Sequence, residues 1–220
     1  GCGKSTVLKT IARILTPKSG EIYINEKNIK EQGAKELAKV MAVLPQSPQA
    51  PNGLTVEELI AYGRFPHQKG FGKLKKEDKN IIQWALEVTG LIEFRERDIE
   101  DLSGGQRQRA WIAMALAQQT DILILDEPTT YLDLAHQLEI LNLLKELNEK
   151  HGTTIVMVIH ELNNAARFAD YMIGMKAGKI ACEGTAYEVM TKENLKELFN
   201  IDAEIIEDPI NKRPVCVTYD

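Results

Sequence analysis

The chain reads as an α/β protein with a mostly parallel sheet and an α-helical subdomain inserted between two of its strands. Two observations predict this. Strand-length apolar runs rich in β-branched residues alternate with helical stretches, the pattern of strand–helix units around a parallel sheet. Between about residues 55 and 118 the alternation stops, and helical patterns follow one another with no convincing strand.

The elements follow in order. Residues 5–15 carry Val7, Leu8, Ile11, Ile14 and Leu15 at helical spacing. Residues 40–44, 121–126 and 154–159 lack polar alternation and are predicted to be buried parallel strands. Helices are predicted over 55–62, 76–89 and 103–118 in the inserted part, then over 134–150 and 161–169 back in the core. After Gly184 come a helical pair, 186–190 and 192–199, and short strands near 204–207 and 215–218. The expected division is a core of 1–50 and 120–185, a helical subdomain of 51–119 and an extension of 186–220. The lysine- and glycine-rich run 68–76 reads as a solvated, mobile surface loop rather than a membrane contact.

Composition narrows the function. At 220 residues the chain can bury one substantial core with a subdomain, not two large domains. Its 27 basic and 32 acidic side chains leave a formal charge of -5, with no basic footprint for gripping nucleic acid. Cys2, Cys182 and Cys216 are odd in number, far apart and without a CxxC pair, so buried or free thiols in a reducing compartment are expected. The longest apolar runs fall far short of the roughly 18–20 residues that span a bilayer, and no signal peptide is visible. The chain begins without Met and inside a motif, so a natural amino-terminal segment is expected upstream of Gly1.

That motif is Gly1-Cys2-Gly3-Lys4-Ser5-Thr6, the carboxyl end of a G-x-x-x-x-G-K-[ST] phosphate loop. Its glycines let backbone N–H groups turn toward a phosphate, Lys4 adds a point charge, and Ser5 offers a hydroxyl to Mg²⁺. The helix that follows aims its positive end at the anion. Far downstream, Leu123-Ile124-Leu125-Asp126-Glu127-Pro128 is an apolar strand ending in two acids, which it carries to the edge of the sheet where ligands bind. Asp126 suits the Mg²⁺ sphere and Glu127, one residue on, suits a general base for an attacking water. Together these residues resemble those of a P-loop NTPase (RecA-like) core. No N-K-x-D guanine motif occurs, which excludes an ordinary GTPase reading.

A second anion site is encoded by Leu102-Ser103-Gly104-Gly105-Gln106. Ser103 stands at an N-cap position with two glycines in the first turn of a long helix. One phosphate loop already supplies the donors for one triphosphate, so this site is surplus unless it acts on another molecule's nucleotide. The pentapeptide resembles the signature of the ATP-binding cassette (ABC) ATPases, and the resemblance covers essentially the whole chain. It implies ATP and Mg²⁺, and a head-to-tail homodimer in which each signature closes over the partner's ATP. It also implies roles for three more residues: Gln46 at the metal and lytic water, His160 at the γ-phosphate, and Asp133 in the loop linking the two sites. The family's adenine-stacking aromatic and first strand would lie upstream of Gly1, so this piece alone is expected to bind ATP poorly.

The finer resemblance is to importer ATPases for iron–siderophore complexes, haem and vitamin B12. It rests on Leu44-Pro45-Gln46, Leu54-Thr55-Val56-Glu57-Glu58-Leu59, Tyr62-Gly63-Arg64-Phe65-Pro66-His67 and the stretch from His160 to Asp170, where Glu161 replaces a more usual Asp. The resemblance implies integral-membrane permease subunits as partners, an extracytoplasmic substrate-binding protein acting indirectly, and a cytoplasmic location on the inner face of the membrane. The alternatives are an importer ATPase for another metal or solute, a soluble ABC ATPase of DNA repair or translation, and a non-catalytic module. Against the soluble ATPase stand the missing coiled-coil insertion and second cassette; against the module, the complete set Gln46, Asp126, Glu127 and His160. The remaining histidines, His67, His136 and His151, are expected at the surface.

Overall fold

A computed structural model describes residues 2–68 and 73–219. Gly1 and the centre of the lysine–glycine run, residues 69–72, lie outside the described residues. The chain runs α1 (Lys4–Ile11), β1 (Tyr23–Ile24), β2 (Lys27–Asn28), α2 (Ala34–Val40) and β3 (Met41–Leu44). Three helices follow, α3 (Val56–Tyr62), α4 (Lys76–Val88) and α5 (Gly104–Ala117). Next come β4 (Ile122–Asp126), α6 (Leu134–His151), β5 (Thr154–Val158) and α7 (Leu162–Phe168). The last stretch holds β6 (Met172–Lys176), β7 (Lys179–Gly184), α8 (Ala186–Val189), α9 (Lys192–Phe199), β8 (Ala203–Glu207) and β9 (Pro214–Tyr219). The chain divides into two compact units, Thr10–Met157 and Gly1–Lys9 with Val158–Asp220.

In the unit Thr10–Met157 the sheet order is β3-β4-β5, with β3 parallel to β4 from Met41 opposite Ile122 to Leu44 opposite Leu125. Every residue of β4 after Ile122 is buried, as an apolar run without alternation requires. β5 departs from that expectation. Among the described residues it lies at the end of this order, and Thr154 and Val156 are exposed on one face, Val156 to 38 %. The first helix also ends four residues short of its predicted end. Arg13 takes a left-handed conformation (φ 58), and its guanidinium donates to the carbonyls of Ile29 (2.9 Å) and Gln32 (2.5 Å), turning the chain away.

The helical part of this unit is set by local capping and close packing. Thr55 and Glu58 form a capping box that starts α3, and Ser103 and Gln106 form another that starts α5. The buried faces of α3, α4 and α5 meet β3 and β4 in one apolar cluster that includes Leu59, Ile82, Leu86, Ile112, Leu116 and Leu125. At the end of α3, Gly63 lies so close to α5 that an added Cβ would sit 2.1 Å from the Met114 carbonyl oxygen. Gly63→Ala is therefore expected to destabilise the protein by about 1–3 kcal/mol through overpacking. Chemical denaturation checks this as a lower midpoint at unchanged slope.

In the other unit, two antiparallel hairpins, β6-β7 and β8-β9, flank a small cluster of Ala166, Ala186, Met190, Leu195 and Ala203. The β8 and β9 strands fall where strands were predicted, each slightly longer. α7 is fastened to β9 by one side chain: the Asn163 amide donates to the Cys216 carbonyl (3.0 Å) and accepts the Cys216 N–H (2.9 Å). The β6-β7 hairpin was not predicted. Its turn uses Ala177 and Gly178, both with positive φ, the geometry of a two-residue hairpin turn. All three cysteines are free.

Candidate functional site

The phosphate-loop residues belong to the smaller unit. α1 begins at Lys4, so Lys4, Ser5 and Thr6 form its first turn, where the helix dipole favours an anion. Gly3 has φ 96, and the first helical bond runs from the Val7 N–H to its carbonyl. The loop leans on the β6-β7 turn through the Gly178 N–H, which donates to the Cys2 carbonyl at 3.1 Å. The Lys4 ammonium lies 3.2 Å from the Cys2 sulfur, and that hydrogen bond holds the thiol below its ordinary pKa. His160 is in the same unit and exposed, two residues beyond the end of β5.

The acidic residues belong to the unit Thr10–Met157. Asp126 closes β4 and is 6 % exposed. Glu127 follows it with φ 55, a left-handed conformation that costs a non-glycine residue about 1–3 kcal/mol and concentrates at functional sites. Its side chain is held in place. Gln46, two residues past β3, donates its amide to Glu127 Oε2 at 2.5 Å, and the Thr130 hydroxyl donates to the same oxygen at 3.0 Å. The parallel pairing of β3 and β4 produces this meeting, because it brings both strand ends to one edge of the sheet. Thr130 was not singled out as a site residue; only its place three residues after Glu127 hinted at the contact.

The signature turn and Asp133 meet in the same unit. Ser103 is exposed; its hydroxyl accepts the Gln106 N–H at 3.3 Å, and the Gln106 side chain accepts the Ser103 N–H at 3.1 Å. The Ser103 O–H remains a donor, which is what an anion needs. Gly104 is exposed and Gly105 buried. Asp133 caps α6 by accepting the His136 N–H at 2.9 Å, and its carboxylate is held below the usual range by that N–H and then by the His136 ring. The surface assignment of the histidines is corrected here. His67 is half-buried with Nε2 2.8 Å from the Gln118 carbonyl, and His136 is half-buried against Gly105. Of these three, His151 is exposed, edge-on to Trp84.

Gln46 and Asp126 in one unit offer an amide oxygen and a carboxylate, and Ser5 in the other unit offers a hydroxyl, each a hard oxygen donor of the kind Mg²⁺ takes. Among the described residues there is no cluster of three or more His, Cys, Asp and Glu that could hold a metal ion. No helix among them is long and apolar enough to cross a membrane.

The family model described as ABC transporter matches residues 1–130. The iron(3+)-hydroxamate import ATP-binding protein FhuC of Bacillus subtilis (strain 168) is 64% identical over 220 residues, covering 100% of this chain and 82% of that protein. The petrobactin import ATP-binding protein FpuD of Bacillus anthracis is 48% identical over 219 residues, covering 100% of this chain and 80% of that protein. The ATP-binding cassette MJ0796, solved as a dimer in a post-hydrolysis state with ADP and Pi, superposes with a TM-score of 0.70 at 33% identity. That match covers 84% of this chain and 81% of the other. The chain belongs to the ABC transporter family, as an ABC ATPase.

Proposed function

We propose that this chain is the ATPase subunit that drives uptake of an iron–siderophore complex through a separate membrane permease. The observation that carries the catalytic part is the Glu127 carboxylate, fixed by Gln46 and Thr130 beside buried Asp126. The substrate class is supported by the 64% identity to an iron(3+)-hydroxamate import protein and the 48% identity to a petrobactin import protein.

In this reading Lys4 and the first turn of α1 bind the ATP phosphates, and Ser5, Asp126 and Gln46 hold Mg²⁺. When bound, the metal neutralises charge that develops on the phosphates. Glu127 takes a proton from the attacking water, and His160 positions that water against the γ-phosphate. Residues 51–119 act as a subdomain that carries the signature, while 1–50 with 120–185 supply the ATP core. Ser103, Gly104, Gly105 and Gln106, with Asp133, close over the ATP of a second copy in a head-to-tail dimer; a dimeric relative with ADP and Pi supports that assembly. The subunit works on the cytoplasmic face of the membrane with its permease, which receives cargo from an extracytoplasmic binding protein.

The test uses the intact protein and a non-hydrolysable ATP analogue. Light scattering is expected to show a dimer with the analogue and a monomer without it. Ser103→Arg places a bulky cation on the exposed turn and is expected to abolish both the dimer and turnover, while each monomer still binds nucleotide. Full ATPase activity in a Ser103→Arg monomer defeats the composite-site reading.

A further inference from the structure

The first turn of α5 and the first turn of α6 meet through a single imidazole. A Cβ built on Gly105 would lie 2.5 Å from His136 Cδ2 and 2.9 Å from Cγ, so no larger residue fits while the ring stays. The ring is also tethered at one nitrogen. Its Nδ1 lies 2.8 Å from Asp133 Oδ1, the same oxygen that caps α6. A carboxylate oxygen only accepts, so Nδ1 carries the proton of that bond. Two further contacts repeat the junction on either side. Arg109 pairs with Glu139 at 3.6 Å, and a Cβ on Gly104 would come 3.5 Å from the Leu132 side chain.

We propose that His136 is a positioning residue for ATP hydrolysis. Its ring locks the signature turn, Ser103 to Gln106, to the loop that ends at Asp133, so that the two move as one piece toward the neighbouring subunit's nucleotide. This rests on the head-to-tail reading above. The Nδ1 bond to Asp133 alone could be made by another side-chain donor at position 136, and the fit to Gly105 by any flat ring. Only a ring with a donor at Nδ1 meets both.

The test is a double-mutant cycle in the intact protein, read as kcat and as ATP affinity. Gly105→Ala is expected to lower kcat about tenfold or more because the new methyl displaces the ring, and His136→Ala to lower it by a similar factor because the ring is gone. ATP affinity of the monomer, measured at concentrations too low for dimer closure, should stay within about twofold in both, since neither residue belongs to the chain's own phosphate loop. The double variant is expected to be no worse than either single one, a coupling of about tenfold, as residues in contact show. Where Gly105→Ala gives no soluble protein, His136→Phe combined with Asp133→Asn reads the same link from its other end. Losses that simply multiply, or losses in ATP affinity instead of kcat, overturn the proposal. If the wild-type protein dimerises on the ATP analogue and the losses multiply, this inference alone fails. A wild-type protein that never dimerises removes the composite-site reading and this inference with it.

Discussion

Glu127→Gln is expected to lower ATP turnover by about 10²–10⁴-fold, the usual contribution of a positioned general base, and to leave ATP binding and dimer closure in place. The amide is isosteric but cannot take a proton from water. The position itself is specific. Glu127 sits in a left-handed conformation immediately after buried Asp126, and one of its oxygens receives both the Gln46 amide and the Thr130 hydroxyl. Gln46 and Thr130 both donate to one oxygen of the carboxylate and fix its direction. The uncharged variant should retain the fold, because an amide oxygen still accepts from both partners. Phosphate-release kinetics measures the turnover, and fluorescent-nucleotide titration with light scattering measures binding and closure. Turnover within a few-fold of the wild type removes Glu127 from the role of base and points to the phosphate or another side chain as the acceptor.

The parts of this molecule that could be read from the chain alone are those whose causes are local. β4 is an apolar run long enough to cross a sheet and buried where it lies, so its identity follows from composition. α3, α5 and α6 start at Thr55, Ser103 and Asp133 because those side chains accept N–H groups three residues on, a signal written within four positions. The phosphate loop and the acid pair are legible for the same reason. What escaped depends on distant partners. Gln46 is reached only through the family resemblance, because its contact with Glu127 spans 81 positions. His136 looked like a surface residue, because its partner Gly105 is identified only by the absence of a side chain. The β6-β7 hairpin escaped because its strands mix Lys, Gly and Cys with apolar residues, and its pairing is interrupted between Gly174 and Met175. The early end of α1 is decided by Arg13 reaching carbonyls 16 and 19 residues away, against a periodicity that continues to Leu15.

The stretch Gly63-Arg64-Phe65-Pro66-His67 carried a family resemblance in sequence, and its structural task predicts a large effect on stability. α5 ends at Ala117, where a helix leaves carbonyls without intrahelical donors. Arg64 donates to the Ala117 carbonyl at 2.6 Å, to the Gln119 side chain at 3.0 Å and, through Nε, to Asp78 at 2.9 Å; His67 serves the Gln118 carbonyl. Arg64 and Asp78 side chains are only 4% and 9% exposed, so removing one leaves the other's charge buried without its partner. Arg64→Ala is therefore expected to cost about 3–5 kcal/mol, which for a chain of this size lowers the melting temperature by roughly 6–20 °C. The pair also sets an acid limit. Burial pushes the Asp78 carboxyl up, but the Arg64 hydrogen bond, the Lys75 N–H and the Arg64 charge outweigh it and hold the group below its ordinary pKa. A depressed folded pKa means that the unfolded chain takes up the proton first. The stabilisation is thus full above the ordinary aspartate value, near about 3.9, and is lost as pH falls through the lower folded value. Thermal melts at pH 7 and in an acid series should show the wild type losing stability more steeply below that point than Asp78→Asn, whose amide has no proton to gain. Equal acid sensitivity in the two proteins, or a loss under about 1 kcal/mol for Arg64→Ala, would show that the end of α5 is held by the apolar contacts of α3 and α4 instead.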